Sequence, residues 1–283
     1  MSLNKGKLYI VSTPIGNLKD ITFRAIETLK KVDIIACEDT RIAKKLLNYY
    51  KIENKHLISY YEPVEEKVIP KIINLLKNGK SIALISDAGT PTLSDPGYKL
   101  VKEAIKENIE VISIPGAFAA VVALSASGLP TDKFIFLGFL PTKESKKREI
   151  LDRFGALNTT IIIYESPHKL LKTVSLIKEI FPKADIVIAK ELTKIYEKFI
   201  RGSIDEVIKY LNENPEIIKG EFVILLYPNN EVEKPSEEKL LEEAKSLKEK
   251  GIRTKEVAKE LSKKYNLNKN EVYTLIIKEL ENS

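Results

Sequence analysis

Acidic residues set among paired glycines and prolines, at the ends of short apolar runs, are the residues of this chain best placed to do chemistry. The densest case is Leu84-Ile-Ser-Asp-Ala-Gly-Thr-Pro-Thr-Leu-Ser-Asp-Pro-Gly97. The run Ile82-Ala-Leu-Ile85 enters it as a buried strand. Gly89, Pro91, Pro96 and Gly97 then break the run, with Asp87 and Asp95 among them. Two prolines stiffen such a loop, and Ala88-Gly89 leaves backbone open to close approach by another molecule. Four more loops stand at expected strand ends: residues 12–17, 38–41, 165–168 and 190–194. A parallel sheet gathers the loops at residues 12–17, 38–41 and 86–97 on one edge, where open α/β sheets bind ligands.

Several other chemistries are excluded. No G-x-G-x-x-G follows a strand, so the dinucleotide fingerprint is absent. Gly79-Lys-Ser81 ends like a phosphate loop, but Asn74 stands where its first glycine belongs, and a helix rather than a strand precedes it. No G-x-S-x-G elbow offers a nucleophile. Cys37 lies within an apolar run and reads as core packing. His56 and His168 have no metal-ligand spacing, so no metal is expected, although a site built of carboxylates alone stays open.

The elements that must position these loops follow from periodicity. Strands are expected at residues 8–11, 32–37, 57–60, 82–85 and 110–114, with helices at 21–31, 43–50, 68–77 and 97–108 and an acidic loop at 62–66. That alternation predicts a parallel, helix-covered sheet. Residues 117–128 read as a small-residue helix. Strands at 134–137, 159–164, 184–189, 199–202 and 221–227 then alternate with helices at 143–154, 170–181 and 204–212. Beyond residue 230 no strand signal remains. Three helices are expected there, capped by Ser236 and Thr254, with a helix-turn-helix-like turn at Asn266-Leu-Asn268. The division expected is a parallel-sheet α/β domain at 1–116, a mixed-sheet α/β domain at 117–230 and a helical module at 231–283. A chain of 283 residues is long enough for that. No apolar run is long enough to span a bilayer and the single cysteine suits a reducing compartment, so a cytoplasmic location is expected. A net charge of +6 suits a polyanionic partner without requiring one.

Eight segments together carry a resemblance. They are Thr13-Pro-Ile-Gly-Asn-Leu18, Glu38-Asp-Thr-Arg41, Ser86-Asp-Ala-Gly-Thr-Pro91, Ser94-Asp-Pro-Gly97, Pro115-Gly116, Gly138-Phe-Leu-Pro141, Tyr164-Glu-Ser-Pro-His168 and Lys190-Glu-Leu-Thr-Lys194. In this order, over about residues 7–227, they resemble the tetrapyrrole methylase-like (class III) S-adenosylmethionine methyltransferases. Within that family they are similar to the branch that methylates a cytidine 2′-hydroxyl in the decoding centre of 16S rRNA. The resemblance implies a homodimer of chains with two α/β domains and S-adenosyl-L-methionine in the cleft between them. It implies cofactor contacts, largely through backbone, at Pro14, at Ser86, Asp87, Ala88, Gly89 and Pro91, at Phe118 and Ala119, at Glu165 and at Leu192. It departs at Lys169 and Lys190, where the family often has arginine, which keeps charge but loses the bidentate fork. A methylase of a tetrapyrrole or another small molecule on the same fold is the rival enzyme, and a non-catalytic RNA-binding relative the rival outside catalysis.

Methyl transfer to a hydroxyl requires a group to accept its proton. Asp87, Asp95, Glu165, Glu191 and Lys190 are the candidates, with Glu38 and Asp39 beside them, and spacing does not choose among them. Arg41 suits a phosphate, or an ion pair with Glu38 or Asp39. Lys143, Lys147 and Arg148, on a helix that also carries Lys146 and Arg153, suit an RNA backbone. The tail balances twelve basic against twelve acidic residues, so it does not read as a nucleic-acid arm.

Overall fold

The computed structural model describes residues 5–229, 235–265 and 267–281. Four-residue runs rich in apolar side chains form the first sheet. They are β1 (Leu8–Val11), β2 (Ile34–Cys37), β3 (His56–Ser59), β4 (Ile82–Ile85) and β5 (Val111–Ile114). The order is β3-β2-β4-β1-β5 and every pair is parallel. β2 and β4 are buried at all four positions, as strands covered on both faces must be. The covering helices are α1 (Phe23–Lys31), α2 (Thr40–Tyr49), α3 (Glu65–Lys77) and α4 (Tyr98–Lys106). Ala25, Leu29, Ala43 and Leu47 of α1 and α2 pack on one face, and Ile72, Leu76, Leu100 and Ala104 of α3 and α4 on the other.

The second sheet is mixed. β6 (Phe134–Phe139), β7 (Thr160–Glu165), β8 (Asp185–Lys190), β9 (Lys198–Ser203) and β10 (Phe222–Tyr227) lie in the order β6-β7-β10-β8-β9. Only β6 and β7 run parallel; the other three pairs are antiparallel. α6 (Glu144–Gly155), α7 (Pro167–Ile180) and α8 (Ile204–Glu213) build the core on one face. α5 (Ala119–Ser125) lies on the other, where Ala120, Ala123 and Leu124 pack with Ile162, Val187 and Leu225. Ile15, from the loop after β1, joins that same cluster, so the two sheets share apolar contacts.

The chain divides into two compact units, residues 1–228 and 229–283. The second holds α9 (Glu237–Glu249), α10 (Thr254–Lys264) and α11 (Lys269–Ile276), whose Leu240, Ala244, Val257, Leu261, Val272 and Ile276 form its own core. Ser236 caps α9 through the Lys239 N–H, whereas α10 starts at Thr254 itself, with Arg253 in the cap position. Asn266 of the expected turn, and the expected boundary at 230–231, lie outside the described residues. Among the described residues no helix is long and apolar enough to cross a membrane.

One expected loop is helical. Glu62–Val64 forms a 3-10 turn that runs into α3 at Glu65. Glu65 is buried, accepts the Tyr60 hydroxyl at 3.1 Å and pairs with Lys99 at 2.9 Å. These tertiary partners hold the acidic turn in the helix, and Pro70 is accommodated inside it. The Gly79-Lys-Ser81 segment is the stop of α3. The Gly79 and Lys80 N–H groups close back on the Leu76 and Leu75 carbonyls, with Gly79 at φ 84°.

Candidate active site

Strand direction brings the loops together. In the first sheet the carboxyl ends of β1, β2 and β4 share one edge because the strands are parallel. Thr13 and Gly89 exchange backbone hydrogen bonds of 2.8 and 3.1 Å, which stitches the loop after β1 to the loop after β4. Gly89 has φ 86°, and a Cβ there would lie 3.3 Å from Ile15, so the residue suits the turn that faces the second sheet. Ser86 is buried beneath this turn, its hydroxyl within 3.3 Å of the Gly89 carbonyl.

A cleft of about 400 Å³ opens between the two sheets. Asp87, Ala88, Gly89 and Asp95 line it from the β4 loop, and Phe118 and Ala119 from the start of α5. Glu165 and Leu192 line it from the β7 and β8 loops. Of the other residues expected at the cofactor, Pro14 adjoins the lining residue Ile15, Ser86 supports the wall from beneath, and Pro91 is buried behind it. Spacing had not pointed to Phe139, Tyr164 or the segment from Gly220 to Val223, which also line the cleft. The last has a topological reason. β10 runs antiparallel to β7 and β8, so its amino end, Phe222, lies opposite Glu165 and Lys190 at their carboxyl ends. A search confined to carboxyl ends passes over it; Gly220, just before the strand, was the available signal.

The acids differ in environment. Asp95 is pushed up to about 6 by burial, and by the Asp87 charge, against a hydrogen bond with Ser86 that lowers it. Glu38 is pushed up to about 7, by burial first and then by the Asp95 and Asp87 charges. Its Oε1 is buried and has no hydrogen-bond partner among the described residues. Burial also raises Asp87, although its Oδ1 accepts the Asp39 N–H at 3.1 Å. Glu165 differs. Burial raises its carboxyl, but hydrogen bonds from Thr173 and the Ser166 N–H, with the Lys147 charge, outweigh that and leave it below the usual range. Glu191 is not among the cleft-lining residues. It pairs with Lys194 at 2.9 Å and accepts the Glu221 N–H at 2.9 Å. Lys190 ends β8 opposite Lys198 and Phe222 and is likewise not among them.

Lys147 requires a correction. It was expected on an RNA-facing surface, but it is buried, with its Nζ 2.8 Å from Thr173 Oγ1 and 3.3 Å from Glu165 Oε2. Its position four residues before Leu151 and eight before Gly155 puts it on the buried stripe of α6. Arg148 pairs with Glu179, and the guanidinium of Arg41 forks onto Asp39 at 2.6 and 3.1 Å. Lys143 and Lys146 are exposed and have no ion pair among the described residues. Cys37 is core: burial pushes its thiol up to about 12.

The cleft suits a flat-ringed, cationic cofactor. It offers apolar wall from Phe118, Leu192 and Val223, exposed backbone at Ala88 beside Gly89, and four carboxylates, those of Asp87, Asp95, Glu165 and Glu221. Among the described residues no group of three or more His, Cys, Asp or Glu side chains is arranged to hold a metal. Likeness to known proteins gives the class, an S-adenosylmethionine-dependent methyltransferase. The family described as Tetrapyrrole (Corrin/Porphyrin) Methylases matches residues 7–208, and the chain belongs to it. Ribosomal RNA small subunit methyltransferase I of Halalkalibacterium halodurans is 46% identical over 96% of this chain and 95% of that protein. The protein of the same name from Bacillus subtilis is 47% identical over 95% and 93%. Among solved structures, diphthine synthase covers 78% of this chain and 90% of its own at a TM-score of 0.60 and 12% identity. A uroporphyrin-III C-methyl transferase from Thermus thermophilus, complexed with S-adenyl homocysteine, covers 78% and 97% at 0.55 and 14%. Both show the shared fold.

Proposed function

We propose that the chain methylates the 2′-hydroxyl of a cytidine in the decoding centre of 16S rRNA, acting as a cytoplasmic homodimer on the rRNA or the small subunit. The observation that carries this reading is near-full-length identity of 46–47% to proteins named for that RNA. Bound S-adenosylmethionine supplies an electrophilic methyl group on a sulfonium. The chain's residues supply the rest. Ala88, Gly89, Phe118, Ala119 and Leu192 would hold the cofactor, with Pro14, Ser86 and Pro91 setting their backbone. The apolar part of the wall, Phe118, Leu192 and Val223, reduces the water around the reacting atoms, which strengthens charge interactions there. Asp95 lines this space with its carboxyl raised to about 6 by burial and is the proton acceptor for the attacking hydroxyl. Glu165 is spent on Thr173 and Lys147, and Glu191 on Lys194, so their role is to fix the walls. Three domains, with boundaries at residues 116 and 230, remain our reading of the chain. Separate cores on the two sheets support the first boundary, and the division of compact units near residue 228 the second.

The test is a transfer assay with labelled cofactor, against small subunits, deproteinised 16S rRNA and uroporphyrinogen. Label at a cytidine ribose of the RNA supports the reading. Label only in the tetrapyrrole would overturn it.

A further inference from the structure

The exposed ring of Phe139 stands at the cleft with no assigned role. Phe139 is 64% exposed although it is the last residue of a strand, and it lines the cleft. Its placement depends on a register shift. Along β6 the partners on β7 run Phe134 to Thr160, Ile135 to Ile161 and Phe136 to Ile162. They then skip Leu137 and resume with Gly138 to Ile163 and Phe139 to Tyr164. Side chains alternate between the faces of a strand, so an unbulged β6 would carry Phe136 and residue 138 on one face and turn Phe139 to the other. The single extra residue restores Phe139 to the face of Phe136, Ile162 and Tyr164. Bulges beside functional sites commonly re-aim a side chain in this way. Gly138 takes φ 61° to make the shift, and a Cβ there would fall 2.6 Å from Ser94 Oγ of the β4 loop.

Phe139 completes an aromatic series that starts deep in the cleft. Phe118 meets Phe136 edge to face at 5.1 Å, Phe136 meets Tyr164 at 4.9 Å, and Tyr164 meets Phe139 at 5.6 Å. The inner rings are partly buried against the apolar cluster, while the outer one leaves most of its surface open. Leu93 of the β4 loop, 42% exposed, also lines the cleft. Within seven residues after Phe139 the chain presents Lys143 and Lys146, both exposed. An exposed ring at a cleft, followed by unpaired cations, is the combination by which proteins hold an unstacked nucleotide: base on the ring, phosphate on the cation.

We propose that Phe139 is the stacking platform for the nucleobase of the nucleotide whose ribose is methylated. This deepens the substrate reading above and rests on it. A ribose hydroxyl inside a helix cannot reach a cofactor in a 400 Å³ cleft, so the nucleotide must leave its stack. A replacement stacking surface offsets the loss of its neighbours.

Two substitutions separate ring from bulk. Phe139→Leu keeps the apolar volume and removes the face; Phe139→Trp keeps a face. Expected for Phe139→Leu are a fall of about tenfold or more in kcat/KM on small subunits, a cofactor affinity by calorimetry within about twofold of wild type, and an unchanged melting temperature. Phe139→Trp should retain most of the activity. Wild-type kcat/KM in Phe139→Leu would overturn the platform. So would a parallel loss of cofactor affinity, since the ring would then serve the cofactor. A short single-stranded RNA carrying pyrrolocytidine, whose fluorescence is quenched by stacking, gives a second readout. Wild type should quench it and Phe139→Leu should not. If wild type fails to methylate any small-subunit RNA, the substrate reading falls, and the quenching result alone decides the platform.

Discussion

At the scale of single residues, the acids and the lysine on α6 carry the sharpest consequences. Asp95 as proton acceptor must be ionised in the free enzyme, so kcat/KM should fall as pH drops through about 6. Asp95→Asn should remove that limb and lower kcat by about 100-fold or more, with cofactor affinity changed far less. A pH–rate profile of both proteins checks this, and an unchanged acid limb in the variant would assign the proton elsewhere. Lys147 makes the opposite kind of claim. Both it and Glu165 are almost fully buried, so Lys147→Ala leaves an uncompensated carboxylate and should cost roughly 3 kcal/mol of stability. Lys147→Met with Glu165→Gln should restore most of it, because removing both charges also removes the desolvation cost. Thermal melts of the three proteins measure this directly. The sequence shows four cations along α6 and Lys143 at its cap, but not which of them the sheet buries. The spacing of Lys147 to Leu151 carried that information, yet a lysine on an apolar stripe is read as basic until its partner is seen. Glu165 and Thr173, 18 and 26 residues away, are long-range partners that no local pattern reveals.

At the scale of elements, most of the ten strands were legible because they are short apolar runs stopped by turn residues; β9, Lys-Phe-Ile-Arg-Gly-Ser, is the weakest such signal. The parallel direction of the first sheet followed from its helical crossovers. Two features depend on pairing and were not legible. One is the bulge at Leu137, which exists only relative to β7. The other is the cleft wall at the amino end of β10, which follows from the antiparallel pairing of a strand 57 residues beyond Glu165. The loop after β4 was legible in its turn residues, though not in Thr92 and Ser94, which take φ 77° and 66° without being glycine. Gly89, Pro91, Pro96 and Gly97 announce a rigid turn, and the turn is where the cleft wall stands. Ala88, exposed on the cleft side, gives the element its test. Ala88→Leu adds bulk on the open side of the wall, with little apolar packing to disturb. Cofactor affinity should fall by about 100-fold or more while the melting temperature stays within a few degrees, since surface changes of this kind cost little stability. Calorimetry beside thermal melts reads both, and undiminished affinity would remove the β4 loop from the cofactor site.

At the scale of the whole molecule, the compact unit of residues 1–228 contains every cleft-lining residue, and the helical unit has a core of its own. A chain ending at Pro228 should therefore fold and bind S-adenosylmethionine with wild-type affinity. Loss of binding in a folded truncation would show that the cleft depends on the tail. The charge distribution bears on the partner. The tail is neutral by count, and most cations of α6 are committed: Lys147 to Glu165, Arg148 to Glu179, and Arg153 over the Phe154 ring at 5.5 Å. Lys143 at the cap of α6 and Lys146 in its first turn are exposed, and they are the cations to test for RNA contact. Phosphate contacts release counterions, so each one steepens the fall of binding with salt by about one log–log unit. Lys143→Glu with Lys146→Glu should flatten that slope by about two units and reduce methylation of small subunits at moderate salt. Cofactor affinity and stability should hold, because neither side chain lines the cleft or has an ion pair among the described residues. Had Lys147→Glu been included, a folding defect would have imitated lost RNA contact; the exposed pair removes that ambiguity. Binding measured from low to moderate salt for wild type and the double variant decides the matter. An unchanged slope would mean that the first turn of α6 faces solvent in the complex, and that the RNA is gripped elsewhere.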